Sequence, residues 1–411
     1  MGLSCAWNNI PLLGASRFSQ DSNVLTLLKN ANIYAPEPLG LGNILIAGEK
    51  IVYLGPELPV LSPFLNVTEH DLSGAAVVPG LIDGHAHITG GGGETGPASR
   101  VPPMFLSSFT RAGVTSVVGV LGTDDLTRNT QTLVTQAYGL REEGLSAWCH
   151  TGGYHVPLTT LTGSARGDIV FLDPVIGVGE LAISDHRSSQ PTLDEFMRIA
   201  SEAHVAGLMT GKAGIVHCHM GDGIRGLTML EKAIATSEIP ARVFNPTHVN
   251  RNKPLFEQAI SLARHGCYID ATAFPDGHVE PGISAAGAYI QFREAGCDTA
   301  RFTISSDGGG CLPAFDQDGN LTRFGVGLSQ TLPDTLAELV RAGVALGEAL
   351  APFTSNVADL LKLRQKGRLA SGMDADILVL GTNLTVQDVM ARGAWHVRDH
   401  KAVRLGTYEE N

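Results

Sequence analysis

The chain has no surplus of basic charge, no paired cysteines and no long apolar run, and each absence removes a class of function. Its 29 Lys and Arg stand against 41 Asp and Glu, giving a formal net charge of -12. That balance sets aside a polyanionic partner, because nucleic-acid binding draws most of its affinity from Lys and Arg neutralising phosphates. The six cysteines (Cys5, Cys149, Cys218, Cys267, Cys297, Cys311) show no C-x-x-C spacing. Scattered thiols suit a reducing compartment, by default the cytoplasm, better than a disulfide framework. The opening MGLSCAWNNIPLLGASRFSQDSN has neither a basic leader nor a sustained apolar stretch, so it reads neither as a secretory signal nor as a spanning helix. Gly2 would suit myristoylation, but Ala6 stands where that motif wants Ser or Thr. Residues 1–23 are expected to form an arm or leader.

What is present is a large apolar fraction, 43% of 411 residues, enough for a substantial core and roughly two to three domains of ordinary size. From Val24 to Val78, short apolar runs alternate with turn residues (LTLLKNANIYAP, NILIAGEKIVYLGP, LNVTEHDLSGAAVVPG), the pattern of small antiparallel strands. The other end answers with ADILVLGTN and VQDVMARGAWHVRDHKAV. Both ends are therefore expected to form one small β-sandwich from 24–79 and 369–411, interrupted by residues 80–368. In that interval, GLIDGHAH, VTSVVGVLG, SAWCHTGGYH, VIGVGELAIS, GIVHCHMGD, VFNPTHVN, CYIDATA and FTISSDGGG read as buried parallel strands. Helical stretches such as PTLDEFMRIASEAHVAGL and KPLFEQAISLARHG lie between most of them. About eight strand–helix repeats predict a (β/α)8 barrel. A doubly wound sheet would need a G-x-G-x-x-G fingerprint after its first strand, which is missing.

The strand ends carry the chemistry. On a strand, His85 and His87 point to one face and can reach one point. A lone H-x-H among 14 histidines carries little weight, but the fourth strand carries Glu180, the fifth His217 and His219, the sixth His248 and the eighth Asp307. A barrel brings those ends to a single face. The donors are nitrogen and oxygen, which suits Zn²⁺ or a similar divalent ion. They exceed what one catalytic zinc takes, so two ions sharing Glu180 as a bridge is the economical arrangement, and two such ions generate hydroxide near neutral pH and polarise a carbonyl.

These features resemble the amidohydrolase superfamily, and HITGGGGETGP, GVTSVVGVLGTD, TGGYHVP, AISDHRS, HMGDG, PTHVNRN and SSDGGG resemble its isoaspartyl (β-aspartyl) dipeptidases over nearly all of residues 24–408. The resemblance implies a metal shell of His85, His87, Glu180, His219, His248 and Asp307, with Asp307 also the acid/base that takes a proton from a bridging hydroxide and passes it to the leaving amine. Glu94 would accept the substrate's free α-amino group, and Arg187 and Arg251 would hold the α-carboxylate. Thr123 falls in the substrate shell, and the Tyr154 hydroxyl would polarise the scissile carbonyl. His217 becomes a buried neighbour or a support behind the ligands, because MGD follows His219 in the family pattern; His150, His155 and His186 are left as structural or as similar supports. A homo-oligomer and a small dipeptide substrate are also implied, with no membrane or nucleic-acid partner.

Two departures stand out. The family commonly bridges its metals with a carboxylated lysine on the fourth strand; here the position reads Glu180, with an extra residue that suggests a bulge near Gly179. Lys212, the nearest lysine, belongs to a helix-to-strand loop. Cys311 stands where a small hydroxyl residue is expected against substrate, and a thiol hydrogen-bonds more weakly. The competing functions are an N-acyl amino acid amidase, a cyclic amidase of the dihydroorotase or hydantoinase type, and a non-catalytic barrel. Glu94 argues against an N-acylated end, and the filled ligand positions argue against loss of catalysis.

Overall fold

The structure, a computed structural model, describes residues 25–275, 282–315 and 321–410; the leader expected at 1–23 lies outside them. The N-terminal strands are β1 (Leu25–Tyr34), β2 (Pro38–Ala47), β3 (Lys50–Gly55), β4 (Val67–Asp71) and β5 (Ala76–Pro79). The barrel strands follow as β6 (Leu81–Ala86), β7 (Val114–Gly119), β8 (Ser146–Thr151), β9 (Val175–Ile183), β10 (Val216–Met220), β11 (Phe244–Thr247), β12 (Ile269–Thr272) and β13 (Phe302–Ser305). After them come a hairpin, β14 (Cys311–Phe315) and β15 (Leu321–Val326), and the C-terminal strands β16 (Ile377–Leu380), β17 (Val386–Ala391), β18 (Ala394–Arg398) and β19 (Lys401–Ala402).

The two chain ends share one sheet, in the order β19-β18-β17-β16-β5-β1-β2-β3, with β4 also paired to β1. The joint is β5 against β16, antiparallel from Ala76–Leu380 to Pro79–Ile377. Leu28, Ile33, Ile44, Ile46, Ile51, Val77, Ile377, Val379 and Met390 make its apolar face a core of its own. The all-antiparallel expectation needs correction: β4 and β5 run parallel to β1, along its first and second halves. Residues 56–66 carry the chain back across the sheet after β3, and a crossover of about a dozen residues is what parallel pairing requires.

In the barrel, β6 to β11 form a continuous parallel sheet and β12 pairs with β13. Closure comes from a parallel bridge between Ala86 and Gly308 and from the His87 N–H donating to the Gly308 carbonyl at 2.7 Å. Every residue of β7 and β9 is buried, which explains why these strands show no alternation. The outer helices follow ordinary rules. Leu193–Thr210 begins in a capping box between Thr192 and Glu195 and ends at the left-handed Gly211, devices that satisfy the helix's orphan backbone groups. Its buried Phe196, Ala200, Ala203 and Gly207 recur at helical spacing, and Phe196 meets Phe244 of β11 at 5.4 Å between ring centroids. Removing that ring would cost about 3–5 kcal/mol. No helix among the described residues is long and apolar enough to cross a membrane.

Candidate metal centre and active site

The strand ends converge as expected of the fold. Nδ1 of His219 and Nε2 of His248 lie 3.1 and 3.4 Å from Oε2 of Glu180, while Nε2 of His87 lies 3.3 Å from its Oε1. Nε2 of His85 is 3.6 Å from Oε2. Oδ1 of Asp307 completes the cluster at 3.4 Å from His85 Nε2 and 3.2 Å from His87 Nε2. Two three-ligand groups result, His85–His87–Glu180 and Glu180–His219–His248, each with its ligand atoms within 4.8 Å of one another. Glu180 is common to both.

Backbone geometry aims these side chains. Val216 pairs with Val178 while Cys218 pairs with Leu181, so Gly179 and Glu180 together face the single residue His217. This is a bulge at the position the sequence suggested, and it turns the carboxylate inward. A Cβ on Gly179 would stand 2.8 Å from both the Cβ and the carbonyl oxygen of His217, so only glycine fits. His248 and Asp307 adopt left-handed conformations, φ 59 and 53. Each costs on the order of 1–3 kcal/mol and is a form of strain found at functional sites.

The residues fit divalent metal. His85 Nε2, Glu180 Oε1 and Asp307 Oδ1 are buried with no hydrogen-bond partner among the described residues. Burial opposes charging of His85 and His87, but Glu180 and Asp307 outweigh it, so both titrate above the ordinary value, His87 at about 10. Burial would raise Glu180 and Asp307, yet the surrounding histidines hold both well below their ordinary range. Lone pairs and negative charge thus converge on a cavity that favours cations.

His217 is not among these groups, and its contacts show why. The Asn245 amide donates from Nδ2 to the Tyr268 carbonyl at 3.3 Å, which turns its Oδ1 toward Nδ1 of His217 at 2.6 Å. His217 therefore carries its proton on Nδ1, and its Nε2 accepts from Nδ1 of His85 at 2.8 Å. The chain of bonds directs Nε2 of His85 at the carboxylates, where its lone pair would bind a metal in place of a proton. Burial, helped by nearby His85, lowers His217 to about 4 and keeps it neutral. His150 stacks on His217, His155 is bonded to Asp125 and the Arg187 carbonyl, and His186 is exposed. The Lys212 ammonium donates to the carbonyls of Ile169 and Leu172, both at 2.7 Å, away from Glu180.

Tyr154 and Arg187, expected to contact substrate, both stand against His219. The Tyr154 hydroxyl is 2.8 Å from Nδ1 of His219, and its ring lies under the Arg187 guanidinium at 5.4 Å. Burial pushes the Tyr154 phenol well above its ordinary value, with Glu180 adding to the effect, so it keeps its proton. Nη1 of Arg187 is 3.5 Å from Oε1 of Glu94, whose Oε2 is buried with no hydrogen-bond partner among the described residues. Arg251 pairs loosely with the exposed Asp222 at 3.6 Å, and its Nε is likewise buried without a hydrogen-bond partner. Thr123 follows Gly122, where a Cβ would press on His87 at 2.8 Å. The Cys311 thiol is raised to about 11 by burial and by nearby Glu94 and Asp307. Sequence reasoning missed Asp185, which contacts both Arg187 and His219. Its signal lay in SDHRS, an acidic residue two positions before an arginine expected to bind substrate.

Residues 76–396 match the Amidohydrolase family. The chain belongs to the amidohydrolase family. It is a metal-dependent hydrolytic enzyme acting on amide bonds. This amidohydrolase is 40% identical to a β-aspartyl dipeptidase from the thermophilic keratin-degrading Fervidobacterium islandicum, solved in complex with a β-Asp-Leu dipeptide. The match covers 94% of this chain and 99% of that one, with a TM-score of 0.89. An imidazolonepropionase of Paracoccus denitrificans is 24% identical over 82% of this chain and 87% of its own. A dihydropyrimidinase from Brevibacillus agri shares the fold at 17% identity and a TM-score of 0.63, covering 93% of this chain and 97% of that one.

Proposed function

We propose that this amidohydrolase hydrolyses β-aspartyl (isoaspartyl) dipeptides at a centre of two divalent ions, zinc by the nitrogen and oxygen character of the donors. The observation that carries the reading is a pairing of opposite charges. The Glu94 carboxylate and Arg187 guanidinium stand 3.5 Å apart, with one oxygen of Glu94 unpartnered. A β-linked aspartyl residue keeps its α-amino and α-carboxylate groups on one carbon, a zwitterion that matches such a pair. An α-linked one uses that carboxylate in its peptide bond. The similarity to a dipeptidase solved with β-Asp-Leu supports the same substrate class.

In this reading His85, His87 and Asp307 would hold one ion and His219 and His248 the other, with Glu180 available to both. When bound, the ions supply a hydroxide nucleophile near neutral pH and polarise the scissile carbonyl. Asp307 takes up the proton released in the attack and delivers it to the leaving amine. The Tyr154 hydroxyl donates to the carbonyl oxygen as negative charge grows there. Glu94 accepts from the ammonium, Arg187 and Arg251 bind the α-carboxylate, and Thr123 and Cys311 line the substrate.

The test is a zinc-loaded activity panel of β-Asp-Leu, α-Asp-Leu, γ-Glu-Leu and N-acetyl-β-Asp-Leu. β-Asp-Leu should be turned over fastest. Equal turnover of the acetylated and free β-linked substrates would make the enzyme an N-acyl amidase instead.

A further inference from the structure

Asp185 lies just past β9, almost wholly buried, and its side chain makes four hydrogen bonds, to Arg187 and His219, with the exposed His186 more loosely placed at 3.6 Å. Oδ1 accepts from the backbone N–H of Arg187 at 2.7 Å and from its Nε at 3.0 Å. Oδ2 accepts from Nη2 of Arg187 at 2.8 Å and from Nε2 of His219 at 3.0 Å. The fork-to-fork contact fixes the guanidinium plane. Gly221 makes room for it: a Cβ there would come within 2.4 Å of the Asp185 Cβ.

His219 stands between two carboxylates, with Nδ1 toward Glu180 and Nε2 toward Asp185. Nδ1 of His219 and Nε2 of His248 meet the same oxygen, Oε2 of Glu180, at 3.1 and 3.4 Å. Nε2 therefore keeps its proton for Asp185, which fixes the tautomer and turns the Nδ1 lone pair toward Glu180 and the Tyr154 hydroxyl, where it would bind metal.

We propose that Asp185 is a positioning residue that ties recognition of the substrate's α-carboxylate to retention of the metal at His219. One carboxylate sets the orientation of both the residue that reads the substrate and the residue that holds the ion. The proposal rests on the functional reading above for its Arg187 half.

The experiment compares the parent with Asp185→Asn and Asp185→Glu. Zinc affinity is measured by competition with a chromogenic chelator, and KM and kcat on β-Asp-Leu at saturating zinc. Asp185→Asn should bind zinc about 10–100-fold more weakly, the range for loss of a partner to a metal-bound histidine, and its KM should rise at least about tenfold, as expected for loss of a charged hydrogen-bond partner. Asp185→Glu keeps the charge but displaces it by a methylene, so it should show both losses in smaller measure; it carries the test if the Asn variant fails to fold by circular dichroism. A change in zinc affinity without a change in KM, or the reverse, overturns the tie, as does parent-like behaviour in both. A parent inactive on β-Asp-Leu defeats the substrate reading and the Arg187 half together, while zinc affinity still decides the His219 half.

Discussion

Replacing Glu94 by Gln keeps the size of the side chain and removes only its charge. The carboxylate is only 14% exposed, and Arg187 stands 3.5 Å from it. A hydrogen bond to a charged group is worth about 1.5–3 kcal/mol. Arg187 already neutralises part of the Glu94 field, which places the loss near the middle, at about 2 kcal/mol, or roughly 30-fold in kcat/KM. The ammonium is present in ground and transition states alike, so most of the loss should appear as a higher KM. The assay is steady-state hydrolysis of β-Asp-Leu and its N-acetyl derivative by parent and variant, which forms a two-by-two cycle. The acetylated substrate should be poor for both proteins, because it has no ammonium to lose. If the variant impaired both substrates equally, Glu94 would not be reading the amine, and the zwitterion argument would fall.

Zinc returned to chelator-stripped protein in bicarbonate-free buffer should restore full activity, and added bicarbonate should change neither rate nor extent, because the Glu180 carboxylate is permanent; a bicarbonate requirement would refute Glu180 as the bridge. Gly179→Ala should lower stability by about 1–3 kcal/mol through overpacking against His217 and reduce zinc stoichiometry, as read by thermal unfolding and elemental analysis; parent-like values would refute the close approach. His396 offers a pH test remote from the metal centre, since burial, with Arg404 and Arg392 nearby, lowers its pKa to about 3. Between about 6.5 and 3 the unfolded chain binds a proton that the native chain refuses, so stability falls as pH falls, by about 1.4 kcal/mol per unit for this group. His396→Phe should remove this slope, leaving the parent about 2 kcal/mol more acid-sensitive between pH 6.5 and 5 in denaturant titrations; identical pH dependence would refute the burial argument.

The barrel was legible because its strands are buried on both faces and so read as unbroken apolar runs, and because potential ligands sit at the same relative place on successive strands. The bulge at Gly179 could be read as one residue too many in VIGVGELAIS. What could not be read were contacts that exist only after folding. The parallel pairing of β4 and β5 depends on where the crossover of residues 56–66 lays the chain down, which its composition does not encode. The Asn245–His217–His85 chain joins three strands across the barrel interior. Asp185 looks like an ordinary loop carboxylate until His219, 34 residues later, is brought within 3.0 Å of it.

The joint between β5 and β16 also dictates an order of events during synthesis. Ala76–Pro79 emerges early, but its partner Ile377–Leu380 follows some three hundred residues later. Until then β5 has β1 on one side and an open row of backbone donors and acceptors on the other, an edge able to recruit foreign strands. Such long-range pairing is intrinsically slow to form. The nascent chain must therefore carry an unfinished sheet through assembly of the entire barrel, and its last three dozen residues act as a latch. Chains cut short before Ile377 would retain every metal-ligating position and still expose that edge, so premature termination should yield aggregates.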